Sequence, residues 1–108
     1  MKPVPFEYNR PHHFDEALEI LASHGDEARL LAGGQSLIPM LNMRLARPSV
    51  LVDVGGLPDH GFIRQENGMV CVGCCVTQRD LDDWVGLEVA LPLVKKAMPL
   101  IGHFQTRN

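Results

Sequence analysis

Ala32-Gly33-Gly34-Gln35-Ser36 is the stretch whose residue types come nearest to doing chemistry, and that chemistry is the holding of an anion. An apolar run, Ala28-Arg29-Leu30-Leu31, leads into it, and a helical pattern begins at Leu37. A strand, a glycine pair and a hydroxyl residue opening a helix present several backbone N–H groups in one direction. The first amides of a helix lack intrahelical partners, and its positive dipole end favours a phosphate or carboxylate. Gly33 and Gly34 let the backbone approach the anion and take positive φ without a Cβ clash. No lysine follows the glycines and no G-x-G-x-x-G spacing is present, so the pattern suits holding a pyrophosphate rather than cleaving one. A plainer reading stands beside it: a tight turn with Ser36 as an N-cap.

Other reactive side chains form no constellation. Cys71, Cys74 and Cys75 contain Cys-x-x-Cys, half of a zinc or iron–sulfur site, but no second pair exists. Strand alternation points Cys71 and Cys75 to one face and Cys74 to the other, so the expected role is that of buried thiols serving as small apolar residues. His12, His13 and His24 flank one helical pattern without converging on a metal, and they read as solvated or capping residues. Asp53 could meet a ligand beyond its strand, although a carboxylate capping the turn into Gly55-Gly56 is the favoured reading. No residue is a good candidate for a catalytic general base or nucleophile, and a metal site within the chain is the disfavoured reading.

The balance of the whole chain narrows the classes further. With 108 residues, 45% of them hydrophobic and 21% charged, it has the make-up of one small globular domain. A net charge of −3 with scattered basic residues argues against nucleic acid, which needs clustered Lys and Arg. No apolar run approaches the roughly 18 residues of a membrane span, and Met1-Lys2-Pro3-Val4-Pro5 has no signal-peptide pattern. Three cysteines within five positions do not make a secreted disulfide framework, so a cytoplasmic location with reduced thiols is expected.

The elements that must position the loop follow from periodicity. Phe6–Arg10 alternates like a half-buried strand ended by Pro11, and Phe14, Ala17, Leu18 and Leu21 mark one helix face stopped by Gly25. A second strand over 28–32 leads through the loop to a helix from about Leu37 to Leu45, and Val50-Leu51-Val52-Asp53-Val54 reads as a parallel strand covered on both faces. This β-α-β-α-β order implies a small parallel sheet, with ligands beyond the strands' carboxyl ends. Then Phe62–Gln65 and Met69–Gly73 form strands joined through Asn67-Gly68, a strong hairpin signal. Thr77 is placed to N-cap a helix that buries Leu81, Trp84 and Val85. A last helix from about Val89 would bury Val94, Ala97, Met98 and Ile101, with Pro99 ending or kinking it near Met98.

These residues resemble a known family, the FAD-binding medium subunit of molybdenum hydroxylases such as carbon monoxide dehydrogenase and xanthine dehydrogenase. The likeness runs through Pro5-Phe6-Glu7-Tyr8-Asn9-Arg10-Pro11, Leu31 to Pro39, Leu51-Val52-Asp53-Val54, Gly73 to Thr77 and Gln105-Thr106-Arg107-Asn108. It implies an α+β fold of the two-lobed PCMH type with FAD between the lobes. Residues 1–57 would form the small parallel β-α-β-α-β lobe, and 58–108 the beginning of the antiparallel lobe. It further implies that Ala32, Gly33, Gly34, Gln35 and Ser36 bind the FAD pyrophosphate, that Leu37 and Ile38 continue the contact, and that Ile101 lies near the flavin ring. Thr77 is expected to be structural, with cofactor contact as the lesser alternative.

In that family a molybdenum–pterin large subunit hydroxylates the substrate, and [2Fe-2S] clusters on a small subunit pass electrons to FAD on this one. The resemblance therefore implies an oxidoreductase subunit that relays electrons to an acceptor, with both other subunits as partners. A second glycine-rich loop normally follows the Arg-Asn segment soon after. The sequence ends at Asn108, so the expectation is an N-terminal fragment or truncated product holding well under half of a subunit. Gly102-His103-Phe104 and Thr106 depart from the small and aliphatic residues usual there. Two rivals stay open: another PCMH-type flavin oxidoreductase, and a non-enzymatic truncated assembly module.

Overall fold

Val50-Leu51-Val52 is apolar without interruption because this strand is walled in on every side. In the computed structural model, which describes all residues from Met1 to Asn108, strand β3 (Val50–Asp53) lies between β1 (Glu7–Asn9) and β2 (Ala28–Leu31), parallel to both. Val50 and Val52 face a buried cluster with Ala17 and Ala28, bordered by Ile20, Leu21 and Val54. Leu51 points the opposite way by strand alternation and is only 1% exposed. The outer strands are the half-exposed ones, as edge positions allow: Arg29 and Leu30 of β2 and Tyr8 of β1 reach solvent.

Helix α1 (Phe14–His24) packs on β2 and β3. Its buried stripe is Ala17 with Ile20 and Leu21, whereas Phe14 and Leu18 stay 47% and 48% exposed. The face is thus rotated from the expected 14/17/18/21 set, because the small Ala17 brings the helix close to the sheet and leaves the bulkier neighbours at the rim. Glu16 accepts the His12 N–H at 2.8 Å, and Gly25 ends the helix at φ 52° with its N–H on the Leu21 carbonyl. His13 occupies the N-cap without a side-chain bond.

Helix α2 spans Leu37–Asn42, shorter than the expected 37–45. Arg44 takes a left-handed φ of 56°, and the Leu45 and Ala46 amides both turn back to the Met40 carbonyl, closing the helix early. Pro39 fits because its missing N–H falls in the first turn.

Two compact units make up the chain, Met1–Pro58 and Asp59–Asn108. The second contains an antiparallel hairpin of β4 (Ile63–Glu66) and β5 (Met69–Val72), with Ile63 opposite Val72 and Glu66 opposite Met69. Asn67 and Gly68 both have positive φ, 51° and 73°, which is the type I′ turn that matches strand twist. The chain is thus mixed α and β, a parallel sheet followed by an antiparallel one.

After the hairpin come α3 (Gln78–Asp83), α4 (Leu87–Ala90) and α5 (Pro92–Ala97), then 3-10 turns at Met98–Leu100 and Phe104–Arg107. Thr77 caps α3 as expected, in a full capping box with Asp80. Val85, expected on a buried face, is 96% exposed, since Trp84 leaves the helix in an extended conformation and the next buried anchor is Leu87. The single helix expected from Val89 is broken at Leu91, where Pro92 cannot extend α4 but suits the first position of α5. Val89 is exposed in consequence, and Met98 is the buried residue where Pro99 bends the chain out of α5. Lys95 ties α5 to α3 by binding Asp82 Oδ1 at 3.0 Å and the Asp82 carbonyl at 2.8 Å.

Candidate nucleotide-binding loop

Because β1, β3 and β2 run parallel, their carboxyl ends share one edge, with Asn9 opposite Val52 and Leu31 opposite Asp53. The segment Ala32–Ser36 springs from that edge, and the Val54 N–H donates to the Leu31 carbonyl at its base at 2.8 Å. The chain bends through Ala32 and Gly33, turns at Gln35 and Ser36, and enters α2 at Leu37. The Ile38 amide donates to the Gly34 carbonyl at 2.9 Å and the Met40 amide to the Ser36 carbonyl at 3.4 Å. The amides of Gly33 to Leu37 donate to no group within the chain. They are the orphan donors of a helix start and of the turn before it.

The two glycines differ. Gly34 sits at φ 72°, and a Cβ there would meet Ile38 Cγ1 at 2.8 Å and Leu31 Cδ1 at 3.3 Å, so the local fold itself requires glycine. Gly33 is outside the left-handed region and a Cβ on it would meet nothing within 4 Å. Nothing within the fold demands its lack of a side chain, and the space beside it is open. Ser36 holds the N-cap position in a helical conformation and its side chain caps nothing, so the plain N-cap reading of the hydroxyl does not hold. With α2 only six residues long, the binding capacity of the loop rests on its amides more than on a macrodipole.

Ala32, Gly33, Gln35, Ser36 and Ile38 are exposed or half-exposed, and Gly34 and Leu37 lie among them along one continuous segment. Ile101 belongs to the second unit, in extended conformation just after the Met98–Leu100 turn and 38% exposed.

Asp53 caps the turn after β3: its Oδ1 accepts the Gly55 N–H at 2.9 Å. Its Oδ2 accepts the Tyr8 hydroxyl in a short hydrogen bond. That bond, with lesser help from desolvation and the Asp53 charge, raises the Tyr8 pKa above its ordinary value. Sequence reasoning gave Tyr8 no role, because its partner is 45 residues away and their meeting depends on β1 pairing with β3. Arg10 lies over the same turn, where a Cβ on Gly56 would meet its Nη2 at 2.5 Å.

The cysteines depart from expectation. All three are reduced thiols, but Cys74 is exposed and only Cys71 and Cys75 are partly buried. Strand β5 ends at Val72, so Cys74 and Cys75 lie in the following turn and strand alternation does not apply to them.

Residues 4–108 match the family model described as the FAD binding domain in molybdopterin dehydrogenase. The chain belongs to this family. Among its relatives in the FAD binding domain family, caffeine dehydrogenase subunit beta from a Pseudomonas species is 38% identical over all 108 residues. The carbon monoxide dehydrogenase medium chain of Hydrogenophaga pseudoflava is 39% identical over the same length. A solved structure of carbon monoxide dehydrogenase from that organism matches the whole chain with a TM-score of 0.95 at 39% identity, over 38% of its own chain. The chain spans 37% of the length of the first of these relatives and 38% of the second. No helix is long and apolar enough to cross a membrane.

Proposed function

We propose that this chain is the loop-bearing part of the FAD subunit of a molybdenum hydroxylase, and that Ala32, Gly33, Gly34, Gln35 and Ser36 receive the pyrophosphate of FAD. The observation that carries the reading is the pairing at the glycines: Gly34 shapes the loop, while Gly33 leaves open a face beside uncommitted amides. A diphosphate matches such donors, since charge-assisted bonds to backbone N–H groups are among the strong ones. Leu37 and Ile38 would border the nucleotide at the start of α2. Ile101 is proposed as an aliphatic neighbour of the flavin ring on the family resemblance alone.

FAD, when bound, supplies the electron-accepting and electron-donating chemistry. The residues of this chain bind and orient it. The electrons are taken to arrive from outside this chain. We assign their source to [2Fe-2S] clusters on a small subunit fed by a molybdenum–pterin large subunit, in a cytoplasmic complex.

Flavin content of the native subunit tests the assignment. Gly33→Val, with a branched side chain in the open face, is expected to cut FAD occupancy at least about tenfold, a binding loss of about 1.4 kcal/mol or more. With flavin stripped from both, its stability should stay within about 0.5 kcal/mol of the parent, as for a surface substitution. Gly34→Val is expected to lose both flavin and stability, because the left-handed φ and the Ile38 contact oppose it. Full flavin in Gly33→Val would remove the loop from the cofactor site. Copurifying molybdenum and iron support the complex, and their absence from a yellow protein points to another flavin oxidoreductase.

A further inference from the structure

The junction between β5 and α3 is a tight turn whose two central residues are both cysteines. The Val76 N–H donates to the Gly73 carbonyl at 3.2 Å, closing a four-residue turn around Cys74 and Cys75. The Cys75 N–H is fixed on the His60 carbonyl at 3.0 Å, and the Gly73 N–H on the Phe62 carbonyl at 2.8 Å. Gly73 is wedged so closely that a Cβ on it would collide with the His60 carbonyl oxygen. The turn is therefore held by its flanks, and it presents the two thiols side by side with Sγ atoms 3.9 Å apart. Cys74 is exposed and Cys75 partly so.

We propose that Cys74 and Cys75 are a vicinal redox pair, a modification site at which a hydroperoxide closes the two thiols into a disulfide. The Cys74 thiolate, the more accessible sulfur, attacks the peroxide and breaks its O–O bond, becoming a sulfenic acid while water leaves after taking up a proton. The Cys75 sulfur then displaces the hydroxyl as a second water, forming the S–S bond. Two thiols are oxidised by two electrons, and one hydrogen peroxide is reduced to two waters.

Adjacent Cα atoms stand about 3.8 Å apart across a trans peptide, whereas disulfides prefer a spacing of at least about 4.4 Å. The ring is accordingly strained and reverts easily, the behaviour of a labile switch and not of a structural staple. Forming it twists the turn that anchors Cys75 to His60, just ahead of the Thr77 cap of α3.

Cys71 is the internal control. It sits in β5 with its Sγ 3.8 Å from Glu66 Oε1, on the hairpin and outside the turn. Mass spectrometry of the native protein after one equivalent of hydrogen peroxide decides the matter, because trypsin releases residues 65–79 as one peptide with all three cysteines. That peptide should lose two hydrogens and regain them with dithiothreitol. Cleavage of the bond between residues 74 and 75 should not separate its halves until reduction. Cys71→Ser should behave like the parent, and Cys74→Ser, Cys74→Ala and Cys75→Ser should each abolish the loss. A two-hydrogen loss that survives in Cys74→Ser or disappears in Cys71→Ser overturns the pair, as does a parent that gains only oxygen atoms at its thiols.

Discussion

At the scale of single residues, the two members of the glycine pair answer to different constraints, which no inspection of the letters alone distinguishes. Gly34 is fixed by its own backbone and by Ile38, and Gly33 by nothing inside the molecule. Tyr8 is a second case. Its hydroxyl is tied to Asp53 across the β1–β3 pair, and the bond raises the phenol above its ordinary pKa. A raised acid favours the protonated form in the folded chain, so the stabilisation is complete below the ordinary value of 10.0 and is lost as pH rises through the higher folded value. Thermal melting followed through that alkaline range should fall more steeply for the parent than for Tyr8→Phe, and parallel curves would show that the bond is not maintained in solution. Asp53 read correctly from sequence as a turn cap because its partner Gly55 is two residues away. Tyr8 did not, because its partner comes from a different strand.

At the scale of elements, local chemistry was legible wherever it was also sufficient. The positive φ of Asn67-Gly68, the stop at Gly25 and the Thr77-x-x-Asp80 box all lie where the residue types placed them. The Thr77 bonds hold the Asp80 carboxyl below the usual carboxylate range. Their contribution is present above the ordinary value of 3.8 and disappears as pH falls through the lowered folded value. Thr77→Ala is expected to cost about 1 kcal/mol at neutral pH. It should also flatten the acid limb of stability, both measurable by urea titration at several pH values. Boundaries were less legible. Helix α2 closes early because Arg44 adopts a left-handed conformation that residue type does not foretell. The helix expected from Val89 is two short ones because Pro92 opens an element as readily as it ends one. Which face of α1 is buried depended on how closely Ala17 could approach the sheet. Helical periodicity gives only the stripe's spacing.

For the molecule as a whole, composition and alternation sufficed to foresee a parallel sheet followed by an antiparallel hairpin, and the loop at the carboxyl edge followed from that order. Burial was the harder quantity. Val85, Val89, Leu93 and Leu100 are all exposed although their types suggest a core. The parallel sheet depends most on its middle strand, where Leu51 and Val52 are fully enclosed. Leu51→Ala is expected to destabilise the first unit by about 2–5 kcal/mol through lost contacts and a cavity. A shift in denaturant midpoint with unchanged slope would measure it. The sheet order β1-β3-β2 carries a further implication for how the protein is made. The middle strand is the last of the three to be synthesised, so a growing chain holds two edge strands with a one-strand gap between them until Asp53 has emerged. Up to that moment Ala17 and Ala28 have no valine wall to rest against, and the core of the first unit cannot close before its last strand arrives.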